Sequence, residues 1–130
     1  MKLAQILERI ENARSGEAVK LIAVSKNVTT KEVLQLFEQG QTSFGENRVQ
    51  ELKNKSEILS NLPIEWHFIG RLQSNKINHL LALKPALWQS CESVEAALAV
   101  DKRLDRELPC LLQINSAYED SKQGILPEAA

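Results

Sequence analysis

Short apolar runs alternate with longer amphipathic stretches from one end of the sequence to the other. Apolar residues at helical spacing predict a first helix over Leu3–Ala13, which Ser15 and Gly16 end. The run Val19–Val24 follows and is typical of a buried strand. Because the same succession recurs along the chain, the sequence predicts one helix followed by five strand–helix units, the last incomplete.

Capping signals and further apolar runs mark the other predicted elements. Thr29 with Glu32 fits a capping box that opens the second helix, and Gly40 closes it. Ser93 caps a later helix whose apolar side reaches Leu108. The remaining predicted strands are Ser43–Glu46, Glu65–Gly70, Leu87–Cys91 and Pro109–Asn115; the remaining predicted helices are Arg48–Leu59, Ser74–Leu83 and one beginning near Leu126 or Pro127.

This order of elements indicates an α/β fold. Strands that alternate with helices pair in parallel through right-handed crossovers. Two sheet arrangements fit this order of elements: an open doubly wound sheet, or part of a TIM (β/α)8 barrel. A complete barrel needs about 250 residues, so we expect residues 1–130 to form a single domain that is an incomplete barrel, truncated at its C-terminus.

Composition narrows the function classes. The sequence has 16 Lys and Arg against 17 Asp and Glu, a net charge of -1, which argues against a nucleic-acid partner held by charge. No run of 18 apolar residues is present, so we expect no membrane partner, and the N-terminus lacks the apolar centre of a signal peptide. The spacing of Cys91 and Cys110 fits neither a metal site nor a CxxC redox motif. We expect both to be reduced, buried side chains of a cytoplasmic protein.

Each predicted strand ends in polar residues, and in parallel α/β folds the strand ends gather at one rim. Lys26 follows the first strand directly. An amine at the mouth of an apolar barrel is partly desolvated, and its neutral form attacks aldehydes to give a Schiff base. From local pattern alone, a solvated lysine at a strand end is the simpler interpretation.

The other polar residues near the strand ends are less specific. His67 alternates with two aromatic residues and reads as a core or rim residue, and no spacing fits a metal site. Glu46 and Glu92 fit helix caps or backbone ligands better than paired carboxylates. Gly45 and Gly70 indicate tight turns or close backbone approach.

Several strings, in matching order and spacing, resemble the YggS/PROSC family of pyridoxal phosphate homeostasis proteins. The resemblance covers nearly the whole chain, from about Leu3 to Gly124. The strings that carry it are Leu21–Lys26, Phe44–Glu51, Trp66–Lys76, and Gln113–Asn115 with Ser121–Gly124.

The resemblance implies a barrel like the N-terminal domain of alanine racemase. It implies that Lys26 forms an internal aldimine with pyridoxal 5′-phosphate (PLP), that Asn47 lies close to this cofactor, and that His67 lies inside the barrel mouth. Members bind PLP and are thought to buffer or deliver it in vitamin B6 homeostasis. We therefore expect a PLP carrier with no catalytic residues and not an enzyme.

The chain departs from the family in two places. Cys91–Glu95 stands where members commonly have His-Ser-Val-Asp. Members also run to roughly twice this length, and the part absent here supplies the loops that hold the PLP phosphate. We therefore expect weakened PLP affinity, and we expect the open sheet edges to need a second copy or a C-terminal half. A racemase-like enzyme, for which Tyr118 is the sole tyrosine, and a structural fragment without cofactor remain the alternatives.

Overall fold

Five parallel strands form one sheet whose spatial order follows the sequence, in a computed structural model that describes residues 2–130. Each strand pairs in parallel with the next, through registers such as Phe44 with Trp66 and Phe68 with Trp88. This arrangement confirms the predicted α/β class and is that of an incomplete barrel. The strands are β1 (Ala23–Val24), β2 (Ser43–Glu46), β3 (Glu65–Phe68), β4 (Leu87–Cys91) and β5 (Cys110–Leu112).

Five α-helices accompany these strands, and the capping residues predicted from the sequence begin two of them. The Thr29 hydroxyl accepts from the Glu32 amide, which confirms the capping box, and Ser93 caps its helix through the Ala96 amide at 3.0 Å. Gly40 stops the second helix with φ 101°. The helices are α1 (Leu3–Ala13), α2 (Thr30–Glu38), α3 (Val49–Ile58), α4 (Ile77–Ala82) and α5 (Val94–Asp101).

Alternate strand residues build the core between the sheet and the helices. Phe44, Trp66 and Trp88 lie on the face of the sheet that packs on the helices, and all three are buried. The rings of Phe44 and Trp66 are 5.9 Å apart between centroids. Val33 and Leu52 enter the same cluster from α2 and α3. The opposite face of the sheet carries Ser43, Glu65 and His67 together with the apolar Val24 and Leu87.

The first strand is shorter than the predicted Val19–Val24, and it is not buried. Only Ala23 and Val24 pair with β2, and half of the Val24 surface is exposed. β1 is an edge strand, so among the described residues one side of it has no strand to pair with. The segment before it is held by the side chain of Gln41, which donates to the Leu21 carbonyl at 2.8 Å.

The opposite edge also departs from the predictions. β5 is exposed throughout, and the burial predicted for Cys110 is wrong, because this cysteine lies on the edge strand with no further strand over it. Cys91, one strand further in, is buried as predicted. Beyond β5 the chain makes a parallel bridge between Ile114 and Ile125.

Three predicted helices also differ in length or type. The helix predicted to reach Leu108 ends at Asp101, and the helix predicted over Ser74–Leu83 begins as a 3-10 turn, Ser74–Lys76, before α4. The last predicted helix is a 3-10 turn, Pro127–Ala129. Within residues 2–130, no helix combines the length and apolar character needed to cross a membrane.

Candidate functional site

Lys26 and Asn47, two residues predicted to bind the cofactor, line the same cavity at the carboxyl ends of β1 and β2. The cavity measures about 240 Å³, and Asn27, Arg48 and Glu51 complete its wall. Lys26 makes no hydrogen bond or ion pair within residues 2–130, so its amine is available to a ligand. Its side chain is exposed, and the partial desolvation expected at a barrel mouth is absent from this open sheet.

A buried polar network fixes the backbone just before Lys26. Ser25 is 3% exposed, and its hydroxyl donates to the Glu46 carboxylate at 2.7 Å. The Lys55 ammonium donates to the Ser25 carbonyl at 2.6 Å and to both oxygens of Glu46 at 3.1 and 3.2 Å. The Ser25 amide donates to the Gly45 carbonyl, so every polar group of Ser25 is engaged with the neighbouring strand or with α3.

The ion pair in this network lies between the sheet and α3. The side chains of Glu46 and Lys55 are 0% and 6% exposed. A buried pair satisfied by additional hydrogen bonds is stable, whereas either charge alone would be costly in this position. The prediction that Glu46 caps a helix or binds backbone amides is therefore wrong, because Ser25 and Lys55 hold its carboxylate. Glu46 does not pair with Glu92 either, since Glu92 lies 3.6 Å from Arg71.

Lys55 was not among the predicted site residues, although the sequence contains a signal for it. Val49, Leu52 and Leu59 are buried along one face of the segment that carries α3, and Lys55 falls on the same face three residues after Leu52. A lysine in the apolar stripe of a helix that packs on a sheet needs a buried anion. Glu46, the last residue of the adjacent strand, was the candidate.

Asn47 is positioned by the close approach of Gly70. A Cβ atom at position 70 would collide with the Asn47 carbonyl oxygen and would lie 2.6 Å from the carbonyl carbon. The Gly70 carbonyl in turn accepts a hydrogen bond from the Ser90 hydroxyl on β4. The close backbone approach predicted for Gly70 is confirmed, and it ties the loop after β3 to the loop after β2.

Gly70→Ala is expected to destabilise the chain by about 1–3 kcal/mol, because the backbone of Asn47 must move to admit a methyl group. The measurement is urea unfolding followed by circular dichroism. Gly45→Ala is the matched control, since its Cβ would meet the flexible Ile69 side chain at 3.2 Å. An equal loss of stability in both variants would contradict the backbone contact as the cause.

His67 lies on the sheet face opposite the helices and does not line the Lys26 cavity. The Gln89 amide nitrogen is 2.9 Å from Nδ1, so this amide donates and the neutral ring carries its proton on Nε2. Nε2 lies 3.9 Å from the Glu65 carboxylate, beyond hydrogen-bond distance. Glu65 is held instead by Lys20 at 2.8 Å and by the Ser43 hydroxyl at 2.9 Å.

The pKa shifts of His67 and Glu65, which form a cluster on the sheet face opposite the helices (the inner face), follow from their contacts. Burial lowers the pKa of His67, against the opposing attraction of the nearby Glu65 carboxylate. The hydrogen bond from Lys20 lowers the pKa of Glu65, and the Ser43 hydroxyl adds to this effect. The cluster is therefore a neutral imidazole beside an ionised carboxylate at neutral pH. Within residues 2–130, no three His, Cys, Asp or Glu side chains are placed to hold a metal ion.

Comparison with known proteins confirms the family resemblance carried by the motifs. The chain is 48% identical to the pyridoxal phosphate homeostasis protein of Helicobacter pylori, over 99% of its own length and 61% of that protein. It is 40% identical to the mouse protein of the same name, over 83% of its own length and 43% of that protein. The chain thus spans about three fifths of the Helicobacter relative. No family model matches it.

Solved structures agree with these relatives. PipY of Synechococcus elongatus, solved without PLP, superposes with a TM-score of 0.85 at 32% identity, over 98% of this chain and 60% of that one. PipY with PLP bound superposes with a TM-score of 0.80, over 59% of its chain. The five-stranded sheet therefore corresponds to the N-terminal part of a barrel-like fold.

Proposed function

Since the chain belongs to the pyridoxal phosphate homeostasis family and spans about three fifths of its Helicobacter relative, we propose that it binds PLP through Lys26. PLP, when bound, supplies an aldehyde with which a lysine amine condenses with loss of water. The observation that carries the proposal is the shared cavity of Lys26 and Asn47, with the Lys26 amine unengaged by residues 2–130.

The residues around this cavity fit such a ligand. A lysine that must react needs a free amine on a fixed backbone, because a mobile backbone would make binding entropically costly. The network of Ser25, Glu46 and Lys55 fixes the residue before Lys26, and Glu46 also precedes Asn47 directly. Asn47 offers a side-chain amide that is not engaged within residues 2–130.

We propose that His67 supports the cofactor site from the sheet face opposite the helices, and that it has no covalent or proton-transfer role. Its Nδ1 is already engaged by Gln89, and its neutral ring is buried. A neutral, buried imidazole can hold neighbouring side chains in place without adding charge near the site.

The proposed role is storage or delivery of PLP rather than catalysis. The relatives are named as homeostasis proteins. A racemase needs a second base on the opposite face of the cofactor, and Tyr118 does not supply it, since its hydroxyl donates to Glu128 at 3.0 Å and it lines no cavity with Lys26. We also propose a cytoplasmic location, because Cys91 and Cys110 are free thiols and thiols stay reduced in that compartment.

We propose that these 130 residues, taken alone, bind PLP more weakly than the longer relatives do. Barrel phosphate sites are typically built after the seventh and eighth strands, and residues 2–130 form five. The exposed edge strand β5 also favours coverage by a second copy or by further chain.

Incubation with PLP, reduction with borohydride and peptide mass spectrometry test the proposal. A single stable adduct on Lys26 is the expected result, since its amine lies in a cavity without a competing partner. Exposed lysines such as Lys31 and Lys102 serve as internal controls in the same digest. Adducts distributed over these lysines in proportion to exposure would overturn the assignment.

A further inference from the structure

A second and larger cavity lies beside the Lys26 cavity, at the carboxyl ends of β2 and β3. It measures about 450 Å³, within the range of small-molecule sites. Asn47 and Arg48 line both cavities, and Gly70 contributes to the wall of the larger one. The position is that at which parallel α/β sheets bind their ligands.

The side chains that line this second cavity are strongly biased in charge. Arg48, Arg71 and Lys76 contribute three positive charges, and none of the eight lining residues is acidic. Arg48 and Lys76 make no ion pair within residues 2–130, and Arg71 pairs with Glu92 at 3.6 Å, a residue that does not line the cavity. Because the whole chain carries a net charge of -1, the cluster does not reflect a generally basic composition.

We propose that this basic cavity is a binding site for a phosphomonoester, separate from the attachment of an aldehyde to Lys26. A phosphomonoester is close to a dianion at neutral pH, and three adjacent cations neutralise it better than they would a single carboxylate. Arg48 and Arg71 each bring a guanidinium group to the cavity, and a guanidinium group can bind two phosphate oxygens at once. The Gln73 amide adds a neutral donor to the same wall.

The size of the cavity indicates that the ligand is an organic phosphate and not the bare ion. Inorganic phosphate would fill little of about 450 Å³, whereas a phosphorylated small molecule would also contact Val49 and Gly70. Since Arg48 borders both cavities, a phosphate held there also alters the field at Lys26. This second site does not require PLP at Lys26, because Lys26 is not one of its lining residues.

Titration of the ¹⁵N-labelled Lys26→Ala chain with phenyl phosphate tests the site, with inorganic phosphate and benzoate in parallel. This variant has no amine at position 26, so any binding is independent of covalent attachment there. Saturable amide shifts at Gly70, Gln73 and Lys76 are expected, with phenyl phosphate binding more tightly than either comparison ligand. Arg48→Gln with Arg71→Gln should weaken binding about tenfold or more, as loss of charge-assisted hydrogen bonds does.

The matched control is Lys102→Gln with Lys122→Gln, which removes the same charge from exposed sites elsewhere. This control should leave the affinity for phenyl phosphate unchanged once the ionic strength is fixed. Equal weakening in the control and in the arginine variant, or shifts that follow exposed lysines without saturating, would overturn the proposal. If the unsubstituted chain binds phenyl phosphate and Lys26→Ala does not, the phosphate belongs to the Lys26 cavity and the second site is refuted.

Discussion

Lys26→Ala is expected to abolish the covalent attachment of PLP, seen as loss of the visible absorption band of a lysine-bound cofactor and of the adduct after borohydride reduction. The reason is chemical, because alanine has no amine and no other lysine lines the same cavity. The fold should be retained, since the Lys26 side chain is exposed and makes no hydrogen bond within residues 2–130. Unchanged urea unfolding would verify this.

Two further variants distinguish the effect of losing the reactive amine at position 26 from the effect of losing its positive charge. Lys26→Arg keeps the positive charge and removes the reactive amine, so it should lose the band as completely as Lys26→Ala. Lys31→Ala removes an exposed lysine on α2 and should retain the band at full intensity. A persistent band in Lys26→Arg would show that attachment occurs elsewhere and would refute the role given to Lys26.

Lys55→Met is expected to lower the free energy of unfolding by about 3–5 kcal/mol, because it leaves the Glu46 carboxylate buried without its counter-ion. Methionine keeps a long apolar side chain on the buried face of α3. The loss of stability therefore measures the missing charge and hydrogen bonds more than a change in side-chain volume. Urea unfolding at neutral pH measures it, provided that the transition is two-state.

A double-mutant cycle measures the interaction energy between Glu46 and Lys55. Glu46→Gln with Lys55→Met removes both charges, so the double variant should be more stable than Lys55→Met alone. Arg14→Met breaks the exposed pair with Glu11 and should have little effect, since solvent screens that pair. Strictly additive losses in the cycle would contradict the buried ion pair as the source of stability.

The same network links stability to the candidate site. Lys55 donates to the Ser25 carbonyl, one residue before Lys26, so its removal frees the backbone that carries the reactive amine. Lys55→Met should therefore reduce PLP attachment under conditions in which the protein is still folded. Full attachment in the folded variant would restrict Lys55 to a purely structural role.

Local signals predicted the elements that depend on neighbouring residues. The capping box at Thr29, the cap at Ser93 and the stop at Gly40 all reside within one helical turn, so the sequence contains them entirely. Of the three inner strands, β2 and β4 keep their predicted bounds, whereas β3 ends at Phe68 and not at the predicted Gly70. The outer strands β1 and β5 are shorter than predicted, because edge position is a property of the sheet and not of the segment.

The sequence by itself determined the alternation of strands and helices, the capping residues and the placing of Lys26 and Asn47 after their strands, since these follow from periodicity and motif. Only the tertiary structure decided which side chains meet. It paired Lys55 with Glu46, placed His67 beside Gln89 on the inner face, and gathered three cations around one cavity. Such contacts depend on how helices and strands from separate parts of the chain are oriented in space, and the period of a single segment carries no record of that orientation.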